Sequence, residues 1–312
     1  MAYNHKKIPS SILIFGAGGH IGGPLASFLT REAPAIRLRL ASRDQEKGAA
    51  LAARFPNAEI VQADYADRAS LDRAVQDMGG VFVLTPGSTD ETAAMNNLVA
   101  SIHKVGTNPH VIRLLGMQPE YNPHRIPQPL REHGMGLPIQ HPIAKRILDD
   151  SKLPVTYLNS GATFIDNFSR WMAPALRERR TLIWPERLIP YIDPAEIAEV
   201  AGRLFLSDNQ RHFGQFHTMN NGHDILRFSE VAELMSEVLG EPIAYEGSKS
   251  AFFTEYAWMG HDRLQYLWDF FQYEQDNEVI WARNDFVERT LGRPPLTVRE
   301  WLIANRSELF GV

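Results

Sequence analysis

The stretch Ser11-Ile12-Leu13-Ile14-Phe15-Gly16-Ala17-Gly18-Gly19-His20-Ile21-Gly22 decides the fold. A short β-rich apolar run ends in glycines at 16, 19 and 22, with a further one at 18. The next run, Pro24-Leu25-Ala26-Ser27-Phe28-Leu29, has helical spacing. Strand, glycine turn and helix together are the context in which such glycines mark a dinucleotide site. Gly16 permits the tight turn after the strand. A side chain at Gly19 would collide with a pyrophosphate, and Gly22 lets the helix pack close to the sheet. The phosphates are expected at the helix N-terminus, where free N–H groups and the helix dipole favour negative charge. The spacing differs from the commoner G-x-G-x-x-G, and a plain βα turn is the competing reading.

Patterns further along agree with that start. Apolar runs at Ser11–Phe15, Ile36–Ala41, Ala58–Gln62, Gly80–Leu84, His110–Leu115 and Val155–Leu158 read as strands. Between them, Ile21–Thr30, Gln45–Ala53, Ser70–Val75, Glu91–Val105 and Ile143–Asp150 read as helices. Such alternation implies an α/β fold: a doubly wound parallel sheet with right-handed crossovers. Residues 1–160 are expected to form the nucleotide-binding domain. Residues 161–312 are expected to form a smaller α/β substrate-binding part, some segments of which return to the first domain.

Between Gly116 and Pro142 lie prolines 119, 123, 127, 129, 138 and 142. Proline fixes φ and lacks a donor, so neither a helix nor a central strand is expected there, and the segment reads as a lid or substrate loop. Later, Thr181–Ile192 reads as a short strand pair, Ala195–Leu206 as a helix, Phe213–Thr218 as a strand and Ser229–Leu239 as a helix stopped by Gly240. From Tyr245 to Tyr273 aromatics are dense, including Phe252, Phe253, Tyr256, Trp258, Tyr266, Trp268, Phe270 and Phe271. Helical spacing favours core, with a lining for an apolar substrate as the other reading.

Bulk properties narrow the function. The 312 residues are 44% hydrophobic and 22% charged, which suits a globular enzyme. A formal net charge of −5 with no basic stripe argues against nucleic acid as a partner. The chain has no cysteine, which excludes disulfides, thiolate metal sites and cysteine nucleophiles and fits a cytoplasmic protein. No run approaches the roughly 18 apolar residues of a membrane helix, so no membrane partner is expected. The polar N-terminus does not read as a signal peptide. No His/Asp/Glu cluster has metal-ligand spacing, and no Gly-x-Ser-x-Gly turn is present.

The second strand ends in Ser42-Arg43-Asp44. Arg43 can pair with a 2′-phosphate and Ser42 can add a hydroxyl, favouring NADP, with NAD as the alternative. Asp44 either contacts a ribose or caps the following helix. Asp64, after the third strand, either accepts from an adenine amine or forms a turn. Thr85, after the fourth, is expected near the nicotinamide ribose.

The chain resembles the NmrA-like family of atypical short-chain dehydrogenases/reductases. The matching pieces are Gly16–Gly22, Ala63-Asp64-Tyr65, Val81–Pro86, Leu153–Gly161, Phe164–Phe168, Asp193 with Glu196-Ile197-Ala198, Ser229–Gly240 and Thr290–Pro295 before Trp301. The resemblance implies a Rossmann fold that prefers NADP. It implies cofactor contacts at Gly16, Gly19, His20, Ile21, Arg43, Asp64, Thr85 and Lys145, with Gly161 and Phe164 bordering the nicotinamide.

Short-chain reductases commonly use a serine and Tyr-x-x-x-Lys. Here the corresponding stretch is His141-Pro142-Ile143-Ala144-Lys145, and the fifth strand ends Leu114-Leu115-Gly116-Met117 without the serine. Lys145 is in place as a ribose or substrate anchor, and His141 is the candidate proton donor. A nearby Lys145 and the helix N-terminus are expected to keep His141 neutral. Tyr121, Arg131 and His133 are further candidates; Tyr157 is discounted as buried in a strand.

The leading reading is an NADPH-dependent oxidoreductase acting on a small or medium carbonyl, enone or quinone-like molecule. The alternative is a non-catalytic dinucleotide-binding redox sensor that controls a protein partner. A non-redox lyase or isomerase is a third.

Overall fold

In the computed structural model, residues 5–311 are described. The chain opens with a regular alternation: β1 (Ser11–Ile14), α1 (Gly22–Glu32), β2 (Arg37–Ser42), α2 (Gln45–Arg54), β3 (Glu59–Gln62), α3 (Arg68–Val75), β4 (Gly80–Val83), α4 (Glu91–Val105) and β5 (His110–Leu115). Then come α5 (Gln128–His133), α6 (Leu137–Asp150), β6 (Val155–Ser160), β7 (Thr163–Phe164), α7 (Ala173–Arg179), β8 (Thr181–Ile183), β9 (Leu188–Ile192), α8 (Pro194–Leu206) and β10 (Phe216–Met219). The rest is β11 (Ile225–Arg227), α9 (Phe228–Leu239), β12 (Ala244–Glu246), α10 (Lys249–Glu255), α11 (His261–Asp276), α12 (Phe286–Leu291), α13 (Val298–Ala304) and α14 (Arg306–Phe310).

The chain divides into two compact units. The first comprises the stretch up to Met117, Met135–Ser160 and Pro194–Thr218. Its seven-stranded sheet runs β10-β6-β5-β4-β1-β2-β3, and β1 pairs in parallel with both β2 and β4. Strand order therefore reverses at β1, the switch point at which doubly wound sheets bind ligands beyond their carboxyl ends. β1, β4 and β5 are buried along their whole length, because helices cover both faces; that is why they read as largely apolar runs, with His110 and Arg113 as the exceptions in β5. Local chemistry sets the helix starts. Asp44, Asp67 and Asp90 each accept from backbone N–H groups in the first turn of α2, α3 and α4, and Gly106 ends α4 in a left-handed conformation.

The second unit comprises Gln118–Gly134, Gly161–Asp193 and the chain from Met219 onward. Trp184 centres its core, with Phe228, Phe252, Tyr256 and Phe271 around it at ring separations of 5.2–6.3 Å. Phe252, Tyr256 and Phe271 are thus core, Phe253, Trp268 and Phe270 pack half-buried against it, and Trp258 is 66% exposed and stacks on Trp171.

Three expectations need correction. Thr181–Ile192 does form two strands, but they do not pair with each other: β8 pairs with β12, and β9 lies between β11 and β7. Trp184 and Arg187 in the connection are both buried in the core, so it is no surface hairpin turn. The proline-rich segment is not devoid of helix. Pro129 and Pro138 occupy first-turn positions of α5 and α6, where a missing N–H costs nothing. α6 accordingly begins at Leu137 rather than Ile143 and tolerates Pro142 in its interior. No described helix is long and apolar enough to cross a membrane.

Candidate functional site

At the carboxyl end of β1 the chain makes its glycine turn. Gly16 has φ +71°, and a Cβ there would lie 2.6 Å from Leu84 Cδ2. A Cβ on Gly22 would lie 2.3 Å from Gly16 O, so the first residue of α1 sits on the turn itself rather than against the sheet. Gly18 and Gly19 are exposed, and a Cβ on Gly18 would meet nothing within 4 Å. Ile21, at the N-cap of α1, makes no side-chain cap bond, so no side chain of that residue occupies the amide end of the helix. Gly23 N–H closes the turn onto Gly19 O at 3.0 Å.

This turn lines a cavity of about 740 Å³. Gly16, Gly18 and Gly19 form one wall; Ser42, Arg43, Asp64, Leu84 and Pro86 contribute others. The volume suits a sizeable organic ligand. Lys47 and Arg54, which sequence reasoning missed, also face it. Among the described residues neither Arg43 nor Arg54 is neutralised by a salt bridge, whereas Lys47 pairs with Asp44 at 3.1 Å. Asp44 caps α2 through Lys47 N–H at 2.7 Å, and these bonds hold its carboxyl below the usual range. The Ser42 hydroxyl donates to Asp44 O at 2.8 Å. Asp64 forms a turn by accepting from Ala66 N–H at 2.9 Å, and it also lines the cavity. An anion suits this set: a turn shaped by missing side chains, an uncapped helix end and two guanidinium groups outside any salt bridge among the described residues, although Asp44, Asp64 and Asp90 also line the cavity.

Thr85 does not line the cavity, although Leu84 and Pro86 on either side do. Its hydroxyl is hydrogen-bonded to Glu91, and Arg113 Nη2 donates to it at 2.8 Å. Arg113 also pairs with Glu91 at 2.6 Å; both are almost wholly buried. Since the guanidinium can only donate, the Thr85 proton points to Glu91, leaving the hydroxyl able only to accept from a third group. Sequence reasoning missed this ion pair. Its signal was an arginine inside the otherwise apolar strand Val111-Ile112-Arg113-Leu114-Leu115.

His141 and Lys145 lie on α6, and neither lines the cavity. His141 Nδ1 accepts from Gly116 N–H, just beyond β5, at 2.7 Å. Burial, and secondarily the charge of Arg113, lowers its pKa to about 3. The ring is neutral as expected, but the physical cause is desolvation and Arg113 rather than Lys145. Lys145 pairs with Asp149 at 2.7 Å and lies 4.7 Å from the centre of the Tyr157 ring. Tyr157 is fully buried and donates to Asp149 at 2.7 Å, with burial raising its pKa. In the second unit Gly161 is buried, and Phe164 lies in β7 beside Ile192 of β9. His133 packs on Tyr266 at 4.6 Å, within the contact of α5 with α11.

Fold and site define a Rossmann-type α/β protein with an anion cradle at its switch point. The chain belongs to the NmrA-like family, whose model matches residues 9–302. Over 239 residues it is 28% identical to a (4-alkanoyl-5-oxo-2,5-dihydrofuran-3-yl)methyl phosphate reductase of Streptomyces griseus subsp. griseus, covering 75% of this chain and 76% of the relative. Its fold is also that of the Escherichia coli NADPH-dependent quinone oxidoreductase complexed with NADPH (21% identity, TM-score 0.74, 93% of this chain and 98% of that one). A second structural relative is the Citrobacter sp. triphenylmethane reductase complexed with NADP(H) (17% identity, TM-score 0.77, 95% and 99% covered).

Proposed function

We propose that this protein is an NADPH-dependent oxidoreductase acting on a small or medium carbonyl, enone or quinone-like compound. The observation that carries this reading is the cradle: a glycine turn and an uncapped α1 opening onto a cavity in which, among the described residues, neither Arg43 nor Arg54 is held in a salt bridge. The three relatives named above, reductases or oxidoreductases, support it.

In this reading the backbone at Gly16, Gly18, Gly19, His20, Ile21 and Gly22 holds the diphosphate. Arg43 takes the 2′-phosphate with Lys47 beside it, and Ser42 lends its hydroxyl oxygen to the wall. Asp64 receives the adenine amine, and Thr85 accepts from a ribose hydroxyl. Reduced nicotinamide, when bound, supplies a hydride. His141 is the polar group for the acceptor, and Lys145 becomes a ribose anchor on release from Asp149.

The test is binding and turnover together. Losing a charge-assisted contact costs about 1.5–3 kcal/mol, so Arg43→Ala should weaken NADPH roughly 10- to 100-fold and NADH little. Equal loss for both removes the 2′-phosphate assignment. Tight cofactor binding with no oxidation across a panel of enones, quinones and ketones would favour the sensor reading instead. The Lys145–Asp149 pair speaks for that second reading, since it engages the one residue of the usual catalytic pair that this chain retains.

A further inference from the structure

The bond between Gly116 N–H and His141 Nδ1, at 2.7 Å, settles the protonation of the ring. A backbone N–H only donates, so Nδ1 carries no proton, and the neutral imidazole carries its proton on Nε2. Protonating Nδ1 would set two donors against each other. The charge of Arg113, which opposes a second positive charge on the ring, reinforces this. Arg113 projects from β5, and Glu91 of α4 is bound to it; Lys145, one turn along α6, is held by Asp149. His141 is 7% exposed, and among the described residues its Nε2 has no hydrogen-bond partner.

The position is as informative as the chemistry. Gly116 follows β5, which neighbours β4, which neighbours β1. At about 4.8 Å per strand spacing, the end of β5 lies roughly 10 Å from the diphosphate turn. It lies on the opposite side from β2, which Arg43 directly follows. A dinucleotide with its 2′-phosphate on the β2 side extends toward β5.

We propose that His141 is a permanently neutral hydrogen-bond donor that holds the substrate oxygen through Nε2–H and does not give up its proton, with Gly116 as the residue that locks its tautomer. This rests on the reductase reading above. As hydride adds to the electrophilic carbon, the carbonyl or conjugated π pair moves onto oxygen. Nε2–H stabilises that oxyanion, and water then protonates the product, leaving hydroxide. A neutral imidazole poised as an electrophile is a known solution to stabilising developing negative charge.

The test has two arms. Heteronuclear NMR of the histidine ring nitrogens in the full chain should show His141 as the Nε2–H tautomer, with no titration from about pH 8 to pH 5, although a free histidine titrates near 6.5. An Nδ1–H tautomer, or a midpoint near 6.5, overturns the proposal. In turnover of a soluble naphthoquinone with NADPH, His141→Gln keeps a side-chain N–H donor and His141→Leu does not. The expected result is a loss under about tenfold for Gln and about 10²–10³-fold for Leu, with a wild-type rate that does not fall as pH rises from 6 to 8. Equal losses in the two variants, or a rate that falls through the histidine range, mark a general acid and overturn it. Absence of NADPH binding in calorimetry is a separate failure: it removes the reductase reading, and the role of His141 with it, whatever the tautomer.

Discussion

The glycine turn makes a prediction in which fold and ligand can be separated. In Gly22→Ala the new Cβ would stand 2.3 Å from Gly16 O, 2.6 Å from Gly16 C and 2.9 Å from Ala17 Cα. All three are backbone atoms, so no rotamer relieves the contact. The turn or the start of α1 must move by about 1 Å to reach ordinary van der Waals distance. Overpacking of this kind costs about 1–3 kcal/mol, and the better helix propensity of alanine returns less than about 1 kcal/mol at a first-turn position. The net loss of about 1–2 kcal/mol, over an unfolding entropy of about 0.65 kcal/mol/K for a chain of 312 residues, should lower the melting temperature of the ligand-free protein by roughly 1.5–3 °C. Gly18→Ala is the contrast. Its Cβ meets nothing within 4 Å, so the ligand-free melting temperature should stay within about 1 °C of wild type. If a diphosphate occupies the turn, the same Cβ projects against it, and NADPH affinity should fall tenfold or more. Thermal melts of the ligand-free variants, with calorimetric titration of NADPH, read both quantities. The reasoning is refuted if Gly22→Ala melts like wild type. It is equally refuted if Gly18→Ala binds NADPH at full strength.

The remaining predictions concern buried charge and packing. His141 and His110 both have pKa values lowered to about 3, chiefly by burial, so the native state keeps them neutral while the unfolded chain protonates below about 6.5. Their contribution is complete above pH 6.5 and is lost as pH falls toward 3, about 2 kcal/mol each by pH 5. Urea unfolding at pH 7 and pH 5 should show that drop, and equal stabilities would contradict it. Glu91→Leu leaves Arg113 charged, buried and unpaired; a loss of about 3–5 kcal/mol is expected, and the double variant Glu91→Leu/Arg113→Leu should be more stable than Glu91→Leu alone in denaturant melts. In α8, a Cβ on Gly202 would stand 2.3 Å from the Phe28 ring of α1, so Gly202→Ala should destabilise by about 1–3 kcal/mol. Gly202→Ala/Phe28→Leu should recover part of that loss.

The sequence by itself determined the alternation of the first 115 residues, the place of the glycine turn and, as one of two readings, the cap at Asp44. These are local matters: period, capping chemistry and positive φ are written within a few residues of where they act. It also placed Arg43 on the cavity wall and His141 and Lys145 on one helix. It could not show that α6 starts at Leu137, since a proline reads as a breaker until one knows that it stands in a first turn. Nor could it show that β8 and β9 belong to different sheets. The tertiary structure decided what the candidate residues do. Thr85, Glu91 and Arg113 come from the ends and middle of three elements and meet only when the sheet closes. Lys145 spends its charge on Asp149, and His141 is held neutral by burial and by an arginine 28 positions earlier in the chain. Desolvation and long-range charge depend on which distant segments are brought together, and no window of sequence carries that information.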